Sequence, residues 1–229
     1  MKSVFVLLLI FTFSEISATA NAAFTISPDD GEDGEEASFA DNPSVQEESL
    51  VSGTKIRVFR EQEDFFLTDQ IRVNVTEPGF YNQASDTNGG GTINAGISVD
   101  TYFLHADRSS SGSGTKDLTT KITFEHSIIG IQLFTGTLID GDDLFGLSGV
   151  SFPDRTQNNN DSHDLELNPA SDTRDTLLLS TDRRVLTVRM RFSGNMDQLR
   201  VITATPEPSS FVLLSAFVFA AFCRRNRDS

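Results

Sequence analysis

Strict alternation of apolar and polar residues marks most of the middle of the chain. Ile56 and Val58 share one face of the stretch 55–59, and Ile71, Val73 and Val75 share one face of 71–76. Glu77-Pro78-Gly79 closes the second stretch as a turn. Leu118, Thr120, Ile122 and Phe124 alternate in the same way. Over 184–192, Leu186, Val188, Met190 and Phe192 face a core while Val185, Thr187, Arg189 and Arg191 face water. The stretch 128–135 is apolar on both faces and predicts a central strand, reached through a tight step at 125–127. Further extended segments fall at 24–26, 65–67, 93–99, 101–105, 175–180 and 198–203. Gly194-Asn195 predicts a hairpin between the last two strands.

Polar stretches separate these segments. Residues 84–91, 107–116 and 153–171 read as loops. Gly89-Gly90-Gly91 is followed by neither Lys-Ser/Thr nor a helical pattern, so it reads as a turn and not a phosphate cradle. In 137–147, Leu138, Leu144 and Phe145 would pin a short helix or loop onto the body, leaving Asp140, Asp142 and Asp143 at the surface. About nine strands joined by polar turns predict an all-β body, an antiparallel β-sandwich of Greek-key or jelly-roll-like connectivity.

The two ends differ in kind from the body. Lys2, an apolar run over 4–13 and a small-residue stretch over 14–23 have the form of a signal peptide. Ala20-Asn21-Ala22 supplies a cleavage site before Ala23, with Ala18-Thr19-Ala20 as the less favoured alternative. At the other end, Pro206-Glu207-Pro208-Ser209-Ser210 precedes 13 residues, 211–223, with no charge and no proline, followed by Arg224, Arg225 and Arg227. As a helix that run spans about 20 Å, short of a hydrocarbon core of about 30 Å. Arginines directly after it favour the cytoplasmic side. The organisation expected is therefore a signal peptide (1–22), a β-sandwich domain with an acidic N-terminal segment (23–204) and a tail with a short transmembrane helix (205–229).

The tail resembles the bacterial PEP-CTERM sorting signal. Pro206, Glu207 and Pro208 match its motif, 211–223 its membrane segment, and Arg224, Arg225 and Arg227 its basic end. The resemblance covers the last 24 or so residues. It implies recognition by an exosortase, a membrane cysteine protease or transpeptidase that cleaves near the motif and transfers the body to a surface glycoconjugate. It implies nothing about the activity of the body. Export at the front and transient inner-membrane anchoring at the back place the body at the outer surface or in the extracellular matrix.

Charge narrows the partners. Trimming Lys2 and Glu15 at the front and Arg224, Arg225, Arg227 and Asp228 at the back takes 18 basic and 33 acidic residues to 14 and 31, a net charge near −17. Phosphate binding needs a basic footprint, so nucleic acid is not an expected partner. Acidic residues crowd 29–48, where like charges disfavour compaction. The single cysteine, Cys223, lies in the tail, so the body forms no disulfide.

Catalytic patterns are sparse. His105, His126 and His163 form no zinc-ligand spacing, and no Gly-x-Ser-x-Gly occurs. Asp140, Asp142 and Asp143 are the best calcium candidates, because hard cations take carboxylate oxygens. No other cofactor is expected. The sequence thus predicts a non-enzymatic structural protein of the cell surface or matrix. The alternative is a carbohydrate-binding or calcium-assisted adhesion module that uses Tyr81, Tyr102 or loop aromatics on a surface polysaccharide. A glycoside hydrolase is the third reading, and it requires two carboxyl groups converging in a cleft about 5 to 9 Å apart.

Overall fold

A computed structural model describes residues 23–27, 33–46, 49–51, 53–107, 114–153, 164–170, 174–192 and 196–205. The signal-peptide residues Ala20 and Ala22, and Pro206, Glu207, Pro208, Arg224, Arg225 and Arg227 of the tail, lie outside them, as does the 194–195 turn. In chain order the strands are β1 (Phe24–Ile26), β2 (Gly34–Ala37), β3 (Ile56–Phe66), β4 (Ile71–Val73), β5 (Gly79–Tyr81) and β6 (Gly91–Ile93). Then follow β7 (Ser98–Ala106), β8 (Leu118–Phe124), β9 (Ile128–Gln132), helix α1 (Thr135–Phe145), β10 (Thr176–Leu179), β11 (Val185–Met190) and β12 (Asp197–Ala204).

Two five-stranded sheets result, β1-β8-β11-β10-β5 and β2-β3-β7-β12-β9, with β4 and β6 as a separate pair. Among the described residues these strands pair antiparallel except β2 with β3, which is parallel, as is the isolated Ser44–Ser151 bridge. The sheets face each other across one core, where Ile122, Leu186 and Val188 of the first meet Val58, Leu104 and Val201 of the second. Side chains alternate across a strand, so each alternating stretch places its apolar set in this core.

The two outward faces differ. The first sheet leaves its outer face to solvent: β8 and β11 alternate buried and half-buried along their whole length. The second sheet is covered on its outer side as well. There α1 and the β4–β6 pair bury Ile202, Val99 and Phe145 in a second cluster, and Phe39, Val45 and Leu50 pack on Phe59 and Phe103 in a third. Both faces of β7 and β12 are consequently buried.

Three features differ from the sequence expectation. Within the acidic stretch, where like charges are expected to oppose compaction, Gly34–Ala37 forms β2 because β3 supplies its backbone partners. β11 and β12 lie in different sheets, so they form no hairpin; the hairpin is β10–β11, with Leu179 opposite Leu186. β9 is the outermost strand of the second sheet and not a central one. It is apolar on both faces because Ile128 and Ile131 enter the inter-sheet core and Ile129 packs on the outer cluster, while the Asn74–Val75 backbone bonds its free edge at Ile131. The 88–90 turn ahead of β6 needs left-handed backbone, and at Gly90 (φ 80°) a Cβ would lie 2.3 Å from the Val73 carbonyl oxygen.

The inequality of the faces is measurable. Ile122→Ala empties fully buried space and should cost about 2–5 kcal/mol in urea unfolding, whereas Thr123→Ala on the open face should stay within about 0.5 kcal/mol.

Candidate functional site

Arg200 points outward from β12 into the layer between the second sheet and α1, where it is fully buried. Its Nε and Nη2 donate to Glu61 Oε2 and Oε1 at 2.6 and 2.8 Å, and Nη2 also donates to Asp142 Oδ1 at 2.8 Å. Nη1 donates to Gln132 Oε1 at 3.2 Å and to the Leu138 carbonyl at 3.4 Å. The guanidinium lies 5.2 Å from the Phe103 ring centre, with Phe145 and Phe152 at 5.9 and 6.0 Å. Burial by itself opposes the charge, but the carboxylates of Glu61 and Asp142 outweigh it and hold the guanidinium above its ordinary range. At Gly141 a Cβ would stand 2.0 Å from Arg200 Nη1, so only glycine lets the helix approach this closely.

This arrangement accounts for the three acids singled out as calcium candidates. Asp142 is not a surface group; its carboxylate is 13% exposed and engaged by Arg200. Asp140 accepts from Arg72 Nε at 2.8 Å, and Asp143 is exposed. Successive helical residues turn by about 100°, so Asp140 and Asp142 project to opposite sides of α1. The structure does not bring the three together. Among the described residues no group of three His, Cys, Asp or Glu side chains is placed to hold a metal ion. His105 is buried and paired through Nδ1 with Gln198 Nε2 at 2.8 Å, a packing role.

A second set of acids sits where β10 and β12 begin. Asp175 is fully buried; its Oδ1 accepts from the Arg191 N–H at 2.7 Å and its Oδ2 from the Glu166 N–H at 2.5 Å. Asp197 is 4% exposed, and its Oδ2 is buried with no hydrogen-bond partner. Burial, partly offset by the two N–H donors, pushes Asp175 up to about 7. Burial, then the charges of Asp175, Glu166 and Asp164, raises Asp197 well above the carboxylate range. Each carboxyl group thus disfavours the charge of the other, as burial does.

The ends of the described body meet at the opposite pole. The Ala23 carbonyl accepts from the Glu125 N–H at 3.0 Å; Ala204 N–H donates to the Ser127 carbonyl at 3.0 Å and Thr205 N–H to that of Ser98 at 3.1 Å. Both ends of the body therefore lie against the 125–127 step between β8 and β9.

The aromatics expected to carry sugar stacking are buried. Tyr81 is 6% exposed, with its hydroxyl donating to the Glu77 carbonyl at 2.6 Å. Tyr102 is 1% exposed and packs against Phe24 and Phe124. The exposed aromatic of β5 is Phe80, at 56%. Sequence reasoning also missed Arg200, although a lone arginine within Leu199-Arg200-Val201-Ile202 signals a buried charge that needs an acidic partner.

Comparison with protein-family models, curated proteins and solved structures finds no match to this chain. Among the described residues no helix is long and apolar enough to cross a membrane.

Two outcomes follow from these groups. Gly141→Ala should gain helix propensity of up to about 1 kcal/mol yet destabilise the protein by about 3–5 kcal/mol overall, because the methyl displaces the guanidinium from its acids; denaturant titration reads the sign. The acid pair binds more protons folded than unfolded. Its contribution to stability is complete below the ordinary value of 3.8 and is lost as pH rises towards about 7. Asp197→Asn removes the carboxyl group that burial raises well above its ordinary range, so the variant should gain stability relative to wild type as pH rises above about 4, in urea unfolding at stepped pH.

Proposed function

We propose that this chain is an exported structural protein of the bacterial cell surface or extracellular matrix, sorted and processed by an exosortase through its tail. The observation that carries the reading is the convergence of both ends of the body at the 125–127 step. A leader removed before Ala23 and a tail leaving after Thr205 then depart from one pole. The folded body is held at a single end and projects away from the attachment point. The tail serves as a transient inner-membrane anchor, its Pro206-Glu207-Pro208 segment read by the exosortase and Arg224, Arg225 and Arg227 held inside. The body, a sandwich of Greek-key or jelly-roll-like class, works by shape and surface and not by catalysis. The buried arginine supports this, being engaged with Glu61 and Asp142 as a packing clamp.

A second reading, adhesion to carbohydrate, is favoured by exposed Phe80 and Leu178 on the open sheet face. Calcium-assisted adhesion through Asp140, Asp142 and Asp143 has less support, because two of the three acids are occupied by arginines.

Mass spectrometry of the protein recovered from its native cells tests the reading. The expected mature chain begins at Ala23, ends near Pro208 and carries added mass at its new C-terminus. Glu207→Ala should leave an unprocessed, membrane-retained form. Recovery of the intact chain through Ser229 from the cytosol sinks the proposal.

A further inference from the structure

The turn ahead of β6 combines features that together make an asparagine reactive. Residues 87–90 form a β-turn closed by the Gly90 N–H, which donates to the Thr87 carbonyl at 2.8 Å. The first central residue, Asn88, takes left-handed backbone (φ 49°, ψ 31°), and Gly89 follows at φ 81°. Positive φ at both central positions is the mark of a type I′ turn, which asparagine and glycine tolerate best. Asn88 and Gly89 are both exposed, and a Cβ built at Gly89 would meet nothing within 4 Å. Among the described residues no hydrogen bond engages the Asn88 side chain, the Asn88 carbonyl or the Gly89 N–H. Asn88-Gly89 is also the one Asn-Gly step in the sequence.

Such a step can modify itself with water as the only co-reactant. The Gly89 nitrogen gives its proton to water and attacks Asn88 Cγ. The N–Cγ bond forms, the Cγ–Nδ2 bond breaks, and the amide group takes a proton from water and leaves as ammonia. Water then opens the succinimide at either carbonyl, giving aspartate or isoaspartate. The type I′ backbone holds the Gly89 nitrogen away from Cγ. Rotating the central peptide gives a type II′ turn, with the first central residue near about φ 60° and ψ −120°, and turns that nitrogen towards the side chain. The rotation keeps the Thr87–Gly90 bond and breaks none, because neither atom of the peptide is engaged. With no Cβ, glycine at 89 offers it no steric resistance.

The other described asparagines lack one requirement or another. Asn42 and Asn168 precede prolines, which have no N–H to react. After Asn74, the Val75 N–H is held by the Ile131 carbonyl at 3.2 Å; after Asn82, the Gln83 N–H is held by Asp86 Oδ2 at 3.1 Å. Asn94 is followed by Ala95, whose Cβ crowds the closing ring.

We propose that Asn88 is a self-modification site: the folded chain converts it through a succinimide to isoaspartate and aspartate, and the isoaspartate loosens the β4–β6 pair. Isoaspartate lengthens the main chain by a methylene, and the turn has little room for it. Gly90 already passes so close to Val73 that a Cβ would lie 2.3 Å from the Val73 carbonyl oxygen, and Val73 is the partner of Gly91. Displacing 88–90 therefore pulls on β6, whose Ile93 helps to cover the outer side of the second sheet. The inference goes beyond the surface-protein reading and stands without it.

The full-length chain, purified in detergent, is aged at mildly acid and mildly alkaline pH in ordinary and in heavy-oxygen water, then mapped by peptide mass spectrometry. The Asn88 peptide should gain about 1 Da, or about 3 Da in heavy-oxygen water, with isoaspartate among the products. The gain should be several-fold faster at the alkaline pH, because the attacking nitrogen must lose its proton. It should also outrun any gain at Asn42, Asn74, Asn82, Asn94 or Asn168 in the same sample. Asn88→Ser should abolish the gain in that peptide, and an unchanged melting temperature shows that the fold is kept. Amide hydrogen exchange over 91–93 should be several-fold faster in the aged wild type than in the fresh chain, and unchanged by the same ageing in Asn88→Ser. Three outcomes overturn the inference. One is an Asn88 peptide that keeps its mass in the folded chain while the urea-unfolded chain gains it. Another is an equal gain at Asn94. The third is β6 exchange that stays the same once most of Asn88 is isoaspartate.

Discussion

Burial of the Arg200 guanidinium constrains the second half of the fold. Removing such an ion from water costs several kcal/mol, and only well-placed acids offset it. Glu61 supplies a bidentate partner from β3, and Asp142 a second carboxylate from α1. Those contacts fasten β3 and the helix to β12, while Gln132 ties in β9. Gly141 allows the helix to come close enough, and the rings of Phe103, Phe145 and Phe152 wall the charge from solvent. Just beyond Glu61, β3 bulges: Asp64 takes left-handed backbone (φ 51°), and its N–H is accepted by the buried carboxylate of Asp100.

The clamp makes the second sheet an inner layer and leaves the first sheet with the accessible strand face. Covered on both sides, β7 and β12 hold the polar groups Thr101, His105, Gln198 and Arg200 in the interior. A face with no such cover must present side chains that water tolerates, and threonines serve that end well. Phe80 and Leu178 depart from the pattern, and they do so side by side.

The two poles of the body also differ. The ends of the described body, Ala23 and Thr205, gather at the 125–127 step, where β8 of one sheet passes to β9 of the other. Towards the opposite pole, the Asp175–Asp197 pair sits where β10 and β12 begin, next to the ends of β11 and β7. Asp175 joins the backbones at Glu166 and Arg191, so one carboxyl group closes that end of the core. Between the poles lies an apolar core made of ordinary alternating strands.

Local periodicity marked many of the strands and which of their faces are buried, whereas β2, Gly-Glu-Glu-Ala within the acidic stretch, forms only through its parallel pairing with β3. β8 covers the predicted 118–124, and the inward set of β11 is Leu186, Val188 and Met190, because alternation is a property of neighbouring residues. The form of both ends and the acidity of the body are likewise written in single residues. Tertiary structure decided what depends on residues far apart in the chain. It placed β11 and β12 in different sheets, buried Tyr81 and Tyr102 while exposing Phe80, and turned Asp142 from a surface acid into a partner for Arg200, 58 positions away. No local pattern encodes such a pairing. It exists because a buried charge must meet its opposite, and only the packed arrangement of β3, β12 and α1 brings the two within reach.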